Sequence, residues 1–323
     1  MFDHSSSHDD FLNRMLTGLD RRTDRLKDRE LGLIGPSLRE AFAATGCTEH
    51  VNPASADHPG YIPGDNSIEY TMHDLRERER LIIDRFHEGC HAIQWSKAAA
   101  LHAAPHNAKT TIILSPYDYI LSMVLAEKDA NAKHPWLASL ALKDCGKVKQ
   151  ASEKYALSVT DFRALRKKEK TIHKTLVEAA RHVLDKKSVW GGKPTYHGQQ
   201  TPVIDYYITR YLQYYADAIR ERGAASFTVA KMSDKDVLAI GGAFGPNSFT
   251  GENGELLRDF LELPLSAEHR RQIVALNAAL GITDDSKLPL LEDALRGQGY
   301  TPESFIASSR TANTSRPAPA LLL

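Results

Sequence analysis

Leu81-Ile82-Ile83-Asp84-Arg85-Phe86-His87-Glu88-Gly89-Cys90-His91-Ala92-Ile93-Gln94-Trp95 holds two histidines four residues apart inside an unbroken helical pattern. Apolar positions Leu75, Leu81, Ile82, Phe86, Ile93 and Trp95 predict one long helix over about residues 72–103, limited by Pro105. Residues four apart on an α-helix differ by only about 40° around its axis, so His87 and His91 project from one face. Two imidazoles so placed can hold one Zn²⁺ at roughly 2.0–2.1 Å each. Glu88 directly follows the first histidine, where it can flank a metal without binding it and take a proton from the water that the metal acidifies. Phe86, Ile93 and Trp95 supply apolar cover, and Cys90 lies off the ligand face as a packed thiol.

A catalytic zinc has three protein ligands and one open position, so a third ligand must come from elsewhere. A glycine three residues after the second histidine and a third histidine three further on would supply one in the metzincin manner. Those positions are Gln94 and Lys97. The next predicted helix opens with Ser115-Pro116, a capping serine and a proline at the first helical position, and continues to about His134, where Pro135 interrupts. It carries Leu125-Ala126-Glu127-Lys128-Asp129-Ala130-Asn131. An antiparallel return of this helix would bring Glu127 to the metal. Asp129, pointing about 200° away from Glu127, is the second choice.

This arrangement resembles the gluzincin peptidases. The resemblance implies a zincin-like helical core, a glutamate ligand on the downstream helix and an acidic residue four positions later that supports a zinc-binding histidine. Asn131 stands at that last position, a departure from the usual aspartate, although an amide oxygen also accepts an imidazole N–H. Gluzincins often precede the motif with an extended strand that pairs with substrate. Gly60-Tyr61-Ile62, a turn at residues 63–66 and Ser67-Ile68-Glu69-Tyr70 form the matching hairpin, which either adds a peptide at its open edge as a further strand or serves as a plain two-stranded cover on the helical body. Residues 60–133 also resemble an uncharacterised bacterial family of metallopeptidase-like domains that pairs HExxH with a downstream Glu-x-Asp-Ala stretch.

Around this centre the 323 residues read as a mostly α protein with a small β-hairpin or edge sheet before the HExxH helix. The divisions are a helical N-terminal segment (1–50), a metal-binding core (51–145), a mostly helical part completing the cleft (146–307) and a disordered tail (308–323). Residues 10–30 suggest a charged surface helix, and residues 47–66 are rich in turn formers. Basic and acidic side chains balance at 41 each, which argues against nucleic-acid binding by bulk charge. No apolar run reaches the ~20 residues of a membrane span, and the polar N-terminus lacks a signal-peptide pattern, so a cytoplasmic location is expected, with non-classical export open. Cys47, Cys90 and Cys145 are too few and scattered for a disulfide framework.

The remaining candidates are weaker. Pro105 separates His102 from His106, which read as exposed histidines. Tyr206, Tyr207, Tyr211, Tyr214 and Tyr215 have helical spacing and suit packing, though one hydroxyl, or His197, could serve as an oxyanion donor. The glycine-rich stretch 239–254 reads as a surface loop or a lid over the cleft, without the ending of a phosphate-binding loop. The expected function is zinc-dependent hydrolysis of a peptide or protein substrate. His87, His91 and Glu127 are the ligands and Glu88 the base. The alternative is an inactive zincin-like domain used for binding or structure.

Overall fold

A computed structural model describes residues 38–52, 60–72, 78–141, 159–184, 189–190, 193–194 and 203–310. The expected helix at 10–30, Cys145, His197 and residues 311–323 lie outside them. The first elements are α1 (Leu38–Ala43), β1 (Thr48–Val51), β2 (Gly60–Ile62), β3 (Ser67–Tyr70), α2 (Arg78–Lys97), α3 (Ala99–His102), β4 (Ile112–Leu114) and α4 (Pro116–Ala141). They are followed by α5 (Val159–Glu169), α6 (Ile172–His182), β5 (Val189–Trp190), β6 (Lys193–Pro194), α7 (Val203–Arg222) and β7 (Thr228–Ala230). The chain then adds α8 (Asp234–Gly241), α9 (Ala267–Ala279), α10 (Leu291–Gly297) and α11 (Pro302–Arg310). The described residues are therefore mostly helical, with small sheets.

The centre is the packing of α2 on α4, with α6, α7 and α8 also against α4. Ile93, Leu125, Ala130 and Trp136 are buried along the two central helices, so apolar burial fixes how they face each other. The start of α4 follows its sequence: Ser115 Oγ accepts the N–H of Asp118 at 3.2 Å, and Pro116 takes the first helical position. The expected interruption at Pro135 does not occur. The helix runs through it to Ala141, and buried Trp136, Leu137 and Ala138 offset the lost backbone bond. The predicted 72–103 helix is divided, with α2 ending at Lys97 and Ala98 in extended backbone before the short α3.

β2 and β3 pair antiparallel, with Tyr61 opposite Ile68, as the hairpin reading expects. Asn66 closes the turn at φ 49°, a left-handed value that asparagine tolerates. β1 falls within the stretch read as turn formers. It joins β3 in parallel to give a mixed sheet of order β1-β3-β2, leaving β2 at an edge. Arg85 of α2 bonds Glu49 of β1 at 3.0 Å, and Tyr70 donates to the same carboxylate at 2.6 Å, so the sheet is fastened to the motif-bearing helix. A second parallel pair, β4 with β7, joins segments more than a hundred residues apart.

Three other expectations change. His102 is buried and bonds the Trp95 carbonyl at 2.6 Å, and His106 is partly buried against the Tyr119 hydroxyl at 3.0 Å, so neither is an exposed histidine. The 239–254 stretch is not a simple surface loop. Its first residues end α8, and Ser248 and Phe249 are fully buried. Finally, α11 extends to Arg310, so residues 308–310 of the expected tail are helical.

Candidate metal centre

α2 presents His87, Glu88, His91 and Gln94, and α4 presents Glu127. The helical spacing of the first three and the packing of α2 on α4 bring the imidazoles and the carboxylate together. The Nε2 atoms of His87 and His91 lie 3.1 Å apart. Glu127 Oε2 is 3.6 Å from Nε2 of His87, and Oε1 is 3.5 Å from Nε2 of His91. His87, His91 and Glu127 can each offer a ligand atom within 4.8 Å of the others, the one such cluster among the described residues.

The geometry suits a cation. Two imidazole lone pairs facing at 3.1 Å repel unless one nitrogen carries a proton or both share a positive ion. A tetrahedral ion with ligands at roughly 2.0–2.1 Å spaces them about 3.3 Å apart, and the three observed separations straddle that value. Burial alone would raise the Glu127 carboxyl, but the two imidazoles outweigh it and hold the group well below the usual carboxylate range. Burial pushes His91 down, yet Glu127 more than reverses this and lifts it to about 9.

Glu88 stands beside the cluster. Its Oε1 is 4.0 Å from Nε2 of His87, and its Oε2 accepts the backbone N–H of Tyr61 at 2.7 Å. Burial raises its carboxyl above the ordinary value, although the two imidazoles pull it down.

The surrounding residues differ from the sequence reading. Asn131 does not support a histidine; its Nδ2 donates to the carbonyl of Glu127 at 2.9 Å and lies 3.4 Å from Oε2 of the same residue. Asp129 is not in the ligand cluster. It faces Lys133, Ser248 and Gln94, as its angle from Glu127 around α4 requires. Support for His91 comes from Gln94, whose Oε1 is 2.9 Å from Nδ1. Among the tyrosines, Tyr211 reaches the cluster, and its hydroxyl donates to Glu127 Oε1 at 3.4 Å. His134, unmarked in the sequence reading, lies seven residues past Glu127 with its ring 5.5 Å from that of His87. Burial, then the neighbouring His87, holds its imidazole well below the usual range. Its 127-131-134 spacing is the helical signal that could have found it.

Among the described residues no helix is long and apolar enough to cross a membrane. The chain matches no protein-family model, no curated protein and no solved structure.

Proposed function

We propose that the protein is a zinc-dependent hydrolase acting on peptide bonds, with His87, His91 and Glu127 as ligands. The observation that carries the reading is the convergence of two Nε2 atoms and one carboxylate at 3.1, 3.5 and 3.6 Å, with a second carboxylate alongside. Two histidines and one glutamate are a donor set of catalytic zinc, which keeps a further position open. A bound zinc ion supplies Lewis acidity, polarising a carbonyl and acidifying water.

The chain's own groups do the rest. Glu88 takes the water proton and passes it to the leaving amine. Tyr61 holds Glu88 through its backbone N–H, which aims the carboxylate. Because β2 is an edge strand and meets Glu88 at Tyr61, an extended substrate backbone laid along β2 would pass the base.

One observation favours a second reading, a zincin-like domain whose metal serves structure or binding. His87, Glu88, His91 and Glu127 are only 4%, 4%, 3% and 2% exposed. Incubating the zinc-loaded protein with an unstructured protein substrate, beside Glu88→Gln, separates the two. Cleavage lost in the variant supports hydrolysis. One tightly held zinc without cleavage in either protein favours the second reading.

A further inference from the structure

Gln94 lies nearly one turn past His91 on α2, and its amide makes three contacts. Nε2 is 3.1 Å from the carbonyl oxygen of Ala126 and 2.8 Å from Oδ2 of Asp129. Oε1 is 2.9 Å from Nδ1 of His91. The neighbours of a buried amide decide which end is nitrogen. A backbone carbonyl only accepts, so the end facing Ala126 must be the NH₂ group. The other end is then the amide oxygen, which also only accepts. It faces Nδ1 of His91, so that nitrogen must carry a proton. When the ring is neutral, its lone pair is therefore on Nε2, the atom turned toward His87 and Glu127.

The amide is held against turning over. Reversal would set Oε1 against both the Ala126 carbonyl and the Asp129 carboxylate. Asp129 is itself fixed, accepting from Ser248 Oγ at 2.6 Å and from Lys133 Nζ at 2.8 Å. Lys133 also donates to the Gly241 carbonyl at 2.8 Å. Gln94, Asp129, Lys133 and Ser248 are at most 1% exposed, and a buried charged pair persists only where its bonds are satisfied. The hydrolytic reading gives these buried polar groups no other task.

We propose that Gln94 is the positioning residue that makes His91 an Nε2 ligand, and that Asp129, Lys133 and Ser248 lock Gln94 in that orientation. The proposal rests on the metal-site reading above. It moves the supporting role from position 131 to the HExxH helix itself.

The test is nitrogen NMR on protein carrying ¹⁵N-labelled histidine, before and after addition of zinc chloride. The expected result is a slowly exchanging proton on Nδ1 of His91 in both states, with zinc perturbing the Nε2 resonance. In Gln94→Met this proton exchanges rapidly and zinc binds about 10–100-fold more weakly. A zinc-perturbed or unprotonated Nδ1 in the parent protein overturns the proposal, as does a folded Gln94→Met with unchanged proton exchange and zinc affinity. A parent protein with the Nδ1 proton in place but no zinc binding supports the tautomer assignment and counts against the metal reading alone.

Discussion

The backbone N–H of Tyr61 donates to Oε2 of Glu88 at 2.7 Å, joining the edge strand β2 to the second residue of the HExxH motif. This bond holds the carboxylate beside the ligand cluster rather than within it. Glu88 can therefore be changed without removing a ligand atom. Glu88→Gln should retain zinc at the parent level while turnover falls about 10²–10⁴-fold, the usual contribution of a positioned base. Metal analysis and peptide-cleavage rates on the same preparations check this. Equal cleavage by parent and variant would remove Glu88 from its role.

Gly241 tests how the outer part of the site is anchored. A Cβ at this position would overlap Cδ2 of Phe249 and lie 2.5 Å from Oδ1 of Asn247. Phe249 is fully buried, and the Gly241 carbonyl accepts from Lys133. Gly241→Ala should destabilise the protein by about 1–3 kcal/mol through overpacking. Gly297→Ala, where nothing lies within 4 Å, should change stability little. Urea midpoints for the two variants supply the comparison, and equal midpoints would refute the packing described around Gly241.

Asp118 should give stability a defined pH dependence. Burial raises its carboxyl to about 6, against bonds from the Met232 N–H and Ser115 that lower it. An unfolded aspartate titrates near ~3.9. Between these values the folded state holds the proton more tightly, so this group's contribution to stability declines as pH rises from about 4 to about 6. Asp118→Asn, whose amide oxygen can still accept from Met232, should be more stable than the parent near pH 7 and gain nothing near pH 4. Denaturant midpoints at the two pH values decide it. A loss that is larger near pH 7 than near pH 4 would show that the carboxylate's bonds outweigh its burial.

Local chemistry made part of this protein legible in its sequence. The hairpin at residues 60–70 was marked by its Pro63-Gly64-Asp65-Asn66 turn, and the start of α4 by Ser115-Pro116. The motif spacing on α2 and the placement of Glu127 on the next long helix anticipated which side chains converge. Long-range pairing was hidden. The apolar run Ile112–Leu114 is too short to announce a strand, and its partner, Thr228–Ala230, follows after the four helices α4 to α7. The buried network was hidden for the same reason. Gln94 broke a metzincin pattern in sequence, but only tertiary packing sets it between His91, Ala126 and Asp129. Pro135 signalled a helix end that buried neighbours override.

The central claim is that Glu127 completes a zinc site with His87 and His91. Elemental analysis of the zinc-loaded, desalted parent protein beside Glu127→Ala and Asp129→Asn tests it directly. About one zinc per chain is expected in the parent, close to none in Glu127→Ala, and weaker but detectable retention in Asp129→Asn, which leaves the three proposed ligand atoms in place but loosens the hold on Gln94. The same zinc content in Glu127→Ala as in the parent would contradict the account.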